Sequence, residues 1–450
     1  MALPPSISTP RLLRLFKLIF YPLDYLEDYY KKYGDIFSFG QSETPFVYIS
    51  NPQGIQEILT TDKTNFRSAA GGGFLTTLLG DNSLLFLQGK RHQRERKLLT
   101  PPFHGERLQS YAQLIDSITD EVTDKLEINH AFNVREIMQE ITLKVILKAV
   151  FGITEGERYQ KLQTLLKSWL SFFNSPANAT IIFFSFLQKD WGNWSPWGRF
   201  LRIKAEIDDL IYAEIDERRQ QENYQGKDIL TLLMLAKDEA GNPMSNQELH
   251  DELITLLIAG HETTASSLTW ALYWIHYCPE VEEKLRSHFS TLENKTDLLK
   301  VIKLPYLDAV CSEILRIYPV ILTTFLRILE TPLELMGYQF KPGTVFAPAI
   351  YLVHHREDIY PNSKEFRPER FLERQFSPYE YFPFGGGSRR CIGMELAKME
   401  MKIVLFTLLS KYQFKLASAR PLKPVRRGLT VAPPNGFKMI ITKGLLTKNA

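Results

Sequence analysis

Residues 384–393 read Phe-Gly-Gly-Gly-Ser-Arg-Arg-Cys-Ile-Gly, a glycine-rich run leading to a single cysteine. A helical pattern follows from Met394 to Tyr412, with Leu396, Met399, Ile403, Leu405 and Leu408 on or near one face. A helix start presents unpaired backbone N–H groups and positive dipole potential, so a sulfur placed there is favoured as thiolate. Glycines let the run turn tightly and let backbone approach a flat ligand without a Cβ clash, and Gly393 keeps the first turn close to the sulfur. Cys278 and Cys311 are too far away in sequence to join Cys391 in a zinc or iron–sulfur cluster, which needs three or four ligands at short spacing. A lone thiolate acting as one axial ligand is the chemistry this run suits, against the plainer reading of a small buried hydrophobe. Arg389, two residues before the sulfur, would reach past it toward a carboxylate.

A second candidate lies in Ala259-Gly260-His261-Glu262-Thr263-Thr264. Ser245-Asn246-Gln247-Glu248 reads as a capping box, and the helix it opens runs to about Tyr277, so the run sits near the middle of a long apolar helix. Glycine lowers helix propensity and threonine hydroxyls compete for backbone carbonyls, which predicts a local weak point or groove. An acid beside an alcohol at such a groove is what proton delivery during O–O cleavage requires. A zinc-protease helix needs a second histidine four residues after His261, and position 265 is Ala. Seen alone, Glu-Thr-Thr in a helix is usually structural; the cysteine run downstream reverses that weighting.

The cysteine run resembles the heme-binding loop of the cytochrome P-450 superfamily, F-G-x-G-x-R-x-C-x-G, and matches it at every fixed position. Residues 259–264 look like that superfamily's A/G-G-x-D/E-T-T/S oxygen-binding motif. The resemblance covers roughly residues 20 to 445 and is closest in look to soluble cyanobacterial hydroxylases of fatty acids or terpenoids. It implies heme b held by Cys391 as iron ligand, with Arg389, Phe384, Gly385, Gly393, Ala259 and Gly260 around it, Thr263 as relay hydroxyl and Glu262 as acid. Similar proteins carry Trp-x-x-x-Arg near the heme propionates; here Arg96 fits the arginine and His92 stands where tryptophan is expected. Arg327 matches a further propionate ligand. Glu313 and Arg316, in the one Glu-x-x-Arg of three that ends a helix at Pro319, would join Arg370 in a buried ion network that fixes the cysteine loop, setting geometry rather than adding net stability. Phe74, Leu75, Leu78, Phe183, Ile321, Thr324, Phe325 and Val431 are the expected substrate-pocket residues.

The implied function is monooxygenation: one atom of dioxygen enters a hydrophobic substrate and the other becomes water. No G-x-G-x-x-G follows a strand, so the two electrons come from a separate ferredoxin or flavoprotein. Arg390, Lys398 and Lys402, with Arg91, Arg94 and Lys97, offer a basic face for an acidic ferredoxin, while a solvated helix face is the plainer account of Arg91, Arg94 and Lys97. The competing readings are a peroxide-using or rearranging heme-thiolate enzyme, whose kind often lacks the acid–alcohol pair, and a heme sensor or electron carrier without turnover.

The scaffold must position these residues within 450 residues that are 44% hydrophobic, with a net charge of +3. That charge is too small to argue for nucleic acid, and no basic stripe interleaved with aromatics occurs. The expected fold is mainly α with small β-sheets: the cytochrome P-450 fold, a triangular helix-rich prism around a buried heme. Without an internal repeat or low-complexity linker, residues 21–450 read as a single domain behind a leader at 1–20. Residues 11–20 of that leader are amphipathic and basic, the composition of a segment that packs on the core or rests on a bilayer surface. Nowhere do 18 apolar residues run together, and three cysteines suit a reducing compartment, so a cytoplasmic monomer with peripheral membrane contact as an option is expected. Further along, 22–33 reads as a helix ended by Gly34, 35–39 and 46–50 as a hairpin, and 104–240 as almost continuous helix. The aromatic-rich stretch 180–197 is either core or an apolar lid.

Overall fold

A computed structural model describes residues 3–7, 9–40, 43–68, 74–152, 156–172, 181, 184–221, 226–292 and 297–444. The helices used below are α1 (Arg11–Phe20), α2 (Pro22–Tyr33), α3 (Pro52–Thr60), α4 (Phe74–Leu79), α5 (Gly89–Leu99), α6 (Val134–Phe151), α7 (Pro196–Gln220), α8 (Asn246–Tyr277), α9 (Pro305–Ile317), α10 (Ile350–His354) and α11 (Met394–Lys411). Local chemistry accounts for several boundaries. In α2, Pro22 takes the first helical position and Gly34, with φ of 79°, ends the helix after Lys31 and Lys32 in the last turn. The capping box of α8 forms: Ser245 N donates to Glu248 Oε2 at 2.8 Å, and Glu248 N donates to Ser245 Oγ at 3.2 Å. Gly260 does not break α8, which is continuous through the 259–264 run.

The chain forms two compact units: residues 1–70, 269–394 and 418–435, and residues 71–268, 395–417 and 436–450. The first unit is built on a six-stranded sheet of β1 (Ser6–Ile7), β2 (Ile36–Phe39), β3 (Phe46–Ile49), β4 (Phe66–Ser68), β5 (Arg327–Leu329) and β6 (Val345–Pro348), ordered β1-β2-β3-β6-β5-β4. The expected hairpin is present, with β2 antiparallel to β3 in the register Ile36 to Ile49. One core of this unit joins Val47, Ile49, Ile55, Ile58, Leu59, Phe346, Val353, Tyr360 and Phe382. This core ties the sheet to α3, α10 and the approach to the cysteine loop.

The second unit is helical, with a three-stranded antiparallel sheet in which Lys438–Gly444 pairs with both Tyr412–Leu416 and Ala131–Asn133. That last strand, together with the turns between helices, is where the expectation of almost continuous helix over 104–240 gives way. Of the 180–197 stretch, Ile181 and Trp197 are buried, while Phe186, Trp191 and Trp194 face outward, Trp194 at 95% exposure. Phe183 lies outside the described residues.

Candidate active site

In the first unit the cysteine run is a braced turn. Gly385 and Gly387 have φ of 68° and 65°, a left-handed conformation that side chains disfavour. Cys391 N donates to Phe384 O at 3.0 Å, and Gly385 N to Phe382 O at 2.9 Å, which folds the run back on itself. Helix α11 starts three residues beyond the sulfur rather than at once. A Cβ on Gly393 would lie 4.0 Å from Cys391 Sγ, ordinary contact, so the glycine leaves room at the sulfur without being forced by it.

Cys391 is the exposed thiol of the three cysteines; Cys311 is buried, and burial pushes the half-buried Cys278 thiol up to about 11. Among the described residues no three His, Cys, Asp or Glu side chains converge to hold a metal ion. The donor set near the sulfur is therefore one thiol on a glycine turn, with arginines close in sequence and space. That set fits a single axial ligand to a planar group bearing carboxylates.

A residue that sequence reasoning missed supports this turn. Asp62, just past α3, is buried, and its Oδ2 accepts from Ser388 N at 2.8 Å, Ser388 Oγ at 3.0 Å and Arg327 Nη2 at 3.3 Å. A Cβ on Gly387 would lie 2.3 Å from that oxygen, and one on Gly386 would lie 2.7 Å from Leu59 Cδ1. These two glycines are needed for close approach to α3. Arg327 also donates to Phe325 O at 2.7 Å and Gly386 O at 3.4 Å. Burial lowers its pKa from the usual arginine range against the pull of Asp62.

The ion network forms as drawn from the sequence. Glu313 and Arg316 are both 0% exposed. Arg316 Nε and Nη2 donate to the two Glu313 oxygens at 2.6 and 2.8 Å, and Arg370 Nε donates to Glu313 Oε1 at 3.1 Å. Arg316 Nη1 reaches further, to His354 O at 2.7 Å and Ser363 O at 2.9 Å. His354 Nε2 then accepts from Phe382 N at 3.1 Å, linking the network to the residue whose carbonyl receives Gly385 N. Burial and the nearby Arg316 push the His354 pKa down to about 3, so the ring is neutral and able to accept.

Four of the expected pocket residues lie in this unit, and Thr324 comes nearest the loop. Val431 N donates to Val320 O at 2.8 Å, next to Ile321, and Thr324 N donates to Pro348 O at 2.9 Å. Thr324 Cγ2 lies 4.0 Å from the position of a Cβ on Gly385. Ile321 and Phe325 are exposed, while Thr324 and Val431 are buried.

In the second unit, α6 packs on the middle of α8. A Cβ on Gly260 would lie 2.9 Å from Ile146 Cδ1, so this glycine serves helix approach as well as any groove. The carboxylate of Glu262 is held by α6: Arg135 Nη2 donates to Oε1, and Gln139 Nε2 donates to Oε2 at 2.9 Å. Burial alone would raise the Glu262 pKa; Arg135, His261 and Gln139 together outweigh it and leave it below the usual glutamate value. His261 Nε2 sits 3.1 Å from Gln139 O, which requires an N–H on that nitrogen, and burial lowers the ring's pKa. Thr263 Oγ1 donates to Ala259 O at 2.6 Å, the competition for a carbonyl expected of a helical threonine.

On α5, His92 is buried and Arg96 half-buried, one turn apart. The solvated-face account of that helix needs correcting at Arg94. Its guanidinium pairs with Asp238 at 2.8 Å, with Glu248 at 3.3 Å and with buried Glu95. Lys97 pairs with Glu239 at 2.8 Å. Arg94 is therefore largely paired within this unit. Phe74 and Leu78 are buried and Leu75 half-buried, with the Phe74 ring 5.8 Å from Trp197 and 6.4 Å from Phe200.

Known proteins resemble this chain along most of its length. The family described as Cytochrome P-450 matches residues 4–441. The chain is 32% identical over 455 residues to cytochrome P-450 135B1 of Mycobacterium tuberculosis, covering 98% of this chain and 91% of that protein. It is 31% identical over 441 residues to cytochrome P-450 135A1 of the same organism, covering 96% and 94%. Retinoic acid-bound cyanobacterial CYP120A1 superposes with a TM-score of 0.84 at 25% identity, over 99% of this chain and 100% of that one. The cytochrome P-450DA heme domain superposes with a TM-score of 0.84 at 21% identity, over 98% of each, a likeness of fold.

Proposed function

The chain belongs to the cytochrome P-450 family, whose members are heme b-dependent monooxygenases, and from that premise we propose that it hydroxylates a terpenoid or long-chain fatty acid at a heme held by Cys391. The observation that carries the assignment of the ligand is the sulfur itself: the exposed thiol of the three stands on a turn braced by Asp62, Ser388 and Arg327. Bound heme with a thiolate ligand supplies the oxidising chemistry, splitting dioxygen and inserting one atom into a C–H bond with two electrons from outside.

The protein's own groups supply placement and protons. Arg327, already desolvated, offers a guanidinium next to Gly386 for a carboxylate of the porphyrin edge. Glu262, held ionised by Arg135 and Gln139, is a proton carrier that takes up a proton only when its carboxylate swings free of α6. Thr263 Oγ1, whose proton goes to Ala259 O, presents lone pairs, so it receives a proton first and passes one on by releasing the carbonyl. The intact acid–alcohol pair favours a monooxygenase over a peroxide-using relative.

The substrate class draws support from the apolar residues Ile321, Phe325 and Val431, from buried Phe74 and Leu78, and from the isoprenoid acid bound by the cyanobacterial relative. A ferredoxin or flavoprotein would deliver the electrons, and with Arg94 consumed internally its docking rests on the other basic residues, Arg390 and Lys402 among them. Helix α1, with Leu12, Leu13, Phe16 and Phe20 exposed, would lie on a membrane surface, and no helix among the described residues is long and apolar enough to cross one.

Two substitutions test the core of this reading. Cys391→Ala is expected to abolish the blue-shifted carbon monoxide band of the reduced protein, and an unchanged band removes this sulfur as ligand. Thr263→Ala is expected to divert electrons from product to peroxide, and unaltered coupling removes Thr263 from the relay. Heme spin-shift titrations with retinoic acid and a saturated fatty acid decide the substrate class; no shift with either overturns it.

A further inference from the structure

His250 occupies a place in the second unit that a neutral imidazole does not satisfy. Its Nδ1 lies 3.0 Å from Asp251 Oδ1 and its Nε2 lies 3.0 Å from Asp208 Oδ1, two carboxylates on two different helices. The ring stacks on Tyr212 with centroids 4.3 Å apart and planes 3° from parallel. A neutral imidazole has one N–H, so it can donate to one carboxylate and must turn a lone pair toward the other. An imidazolium donates to both. The groups facing the ring are Asp208 and Tyr212 from α7, with Lys204 paired to Asp208 at 2.6 Å, and Asp251 from α8. Burial disfavours the charged ring, yet the two carboxylates outweigh it and hold the His250 pKa above its usual value.

The other oxygen of Asp251 extends the chain of contacts. Oδ2 accepts from Asn82 N at 3.0 Å and Asn82 Nδ2 at 2.8 Å, while Arg91 Nη2 donates to Asn82 Oδ1 at 2.8 Å. Gly80, with φ of +80°, could not carry a Cβ, which would fall 2.1 Å from the Asp251 carboxyl carbon. One turn further along α8, Thr255 Oγ1 donates to Ser83 Oγ at 2.8 Å. The segment that follows α4 is thus sewn to α8 through Asp251, and Asp251 is tied to α7 through His250. Phe74, at the other end of α4, packs on Trp197 and Phe200 of α7.

We propose that protonated His250 is a clamp between α7 and α8 that positions residues 74–82 and thereby sets how fast small molecules reach the heme, opening as pH rises. The access half rests on the reading that Phe74, Leu75 and Leu78 line the substrate site; the clamp stands on its own geometry. The sign follows from the raised pKa: the contact is complete below the unfolded histidine value and is lost as pH climbs through the higher folded value.

The test uses the full-length heme-loaded protein from about pH 6 to about pH 9. The NMR signal of His250, assigned by its loss in His250→Gln, should titrate above the ordinary histidine value and move down in Asp208→Asn. Amide protection factors over 78–83 and 204–212 should fall about tenfold across that range in the parent protein, the size of one lost charge-assisted hydrogen bond. His250→Arg, which stays charged and can donate to both carboxylates, should keep protection high and pH-independent; His250→Gln should keep it low and pH-independent. An ordinary or depressed His250 titration, or protection equally pH-dependent in His250→Arg, overturns the clamp. Carbon monoxide recombination after flash photolysis should speed up with pH in the parent protein and not in His250→Arg. A working clamp with pH-independent recombination overturns the access half and with it the placing of residues 74–78 along the route.

Discussion

Asp62 accepts three hydrogen bonds at one oxygen and faces the guanidinium of Arg327 in a buried setting. Asp62→Ala leaves that guanidinium without its carboxylate, a loss of about 3–5 kcal/mol for a broken buried pair, and frees Ser388. Denaturant unfolding should show this drop together with faster heme loss to a heme-scavenging globin; a change below about 1 kcal/mol would assign the bracing elsewhere. A second prediction concerns Glu262. Replacing Arg135 by Met removes the main opponent of burial, so the Glu262 pKa rises. The acidic limb of the turnover pH profile should move to higher pH by about one unit, and a limb that stays in place would detach Glu262 from proton delivery. Cys391, Glu262 and Thr263 are proposed from residue type and spacing together with the family resemblance. Asp62 was not legible in that way, because its partners stand 265 and 326 positions away and an Asp after a helix carries no signal of its own.

At the scale of elements, the approach of α6 to α8 controls how the acid is held. Gly260 meets Ile146 Cδ1, the movable tip of a side chain, so Gly260→Ala should be close to neutral, with gained helix propensity offsetting the contact. Gly260→Val adds branches that the tip cannot evade and should cost about 1–3 kcal/mol by overpacking. Ile146→Ala in the same chain should recover part of that loss, measurable as a double-mutant cycle in denaturant; additive costs would deny the contact. Sequence reading saw Gly260 as a weak point for a ligand groove and missed its packing role, since nothing in one helix's sequence says which neighbour lies against it. The Glu313–Arg316 pair was readable as an i, i+3 contact, but its extension through His354 to Phe382 depended on where α10 came to rest.

For stability as a whole, the buried carboxyl of Glu400 on α11 is informative. Burial drives its pKa well above the usual glutamate value, and its Oε1 has no hydrogen-bond partner. The folded chain therefore keeps a proton there that the unfolded chain releases above the ordinary carboxyl range, and stability falls as pH rises through that window. Glu400→Gln should add about 1–3 kcal/mol at pH near 8 and nothing at pH near 4, where both residues are neutral. Equal gains at the two pH values would mean that the Glu400 pKa does not differ between the folded and unfolded chain. Composition showed no break along the chain, yet its contacts divide into two compact units, with one boundary inside α8 and another at the first residue of α11.

The sequence by itself determined the chemistry on offer: a lone cysteine after glycines, an acid beside an alcohol within a capped helix, and an ion pair ahead of a proline. It also set most local elements, because capping, glycine termination and strand alternation act over a few residues. Tertiary structure alone decided what surrounds those groups. Arg135 on the Glu262 carboxylate, Asp62 beneath the loop, and Arg94 turned inward to three carboxylates are pairings of distant residues. Hydrogen bonds act over a few ångströms and charge pairs weaken with distance, so both depend on packing that spacing along the chain does not encode.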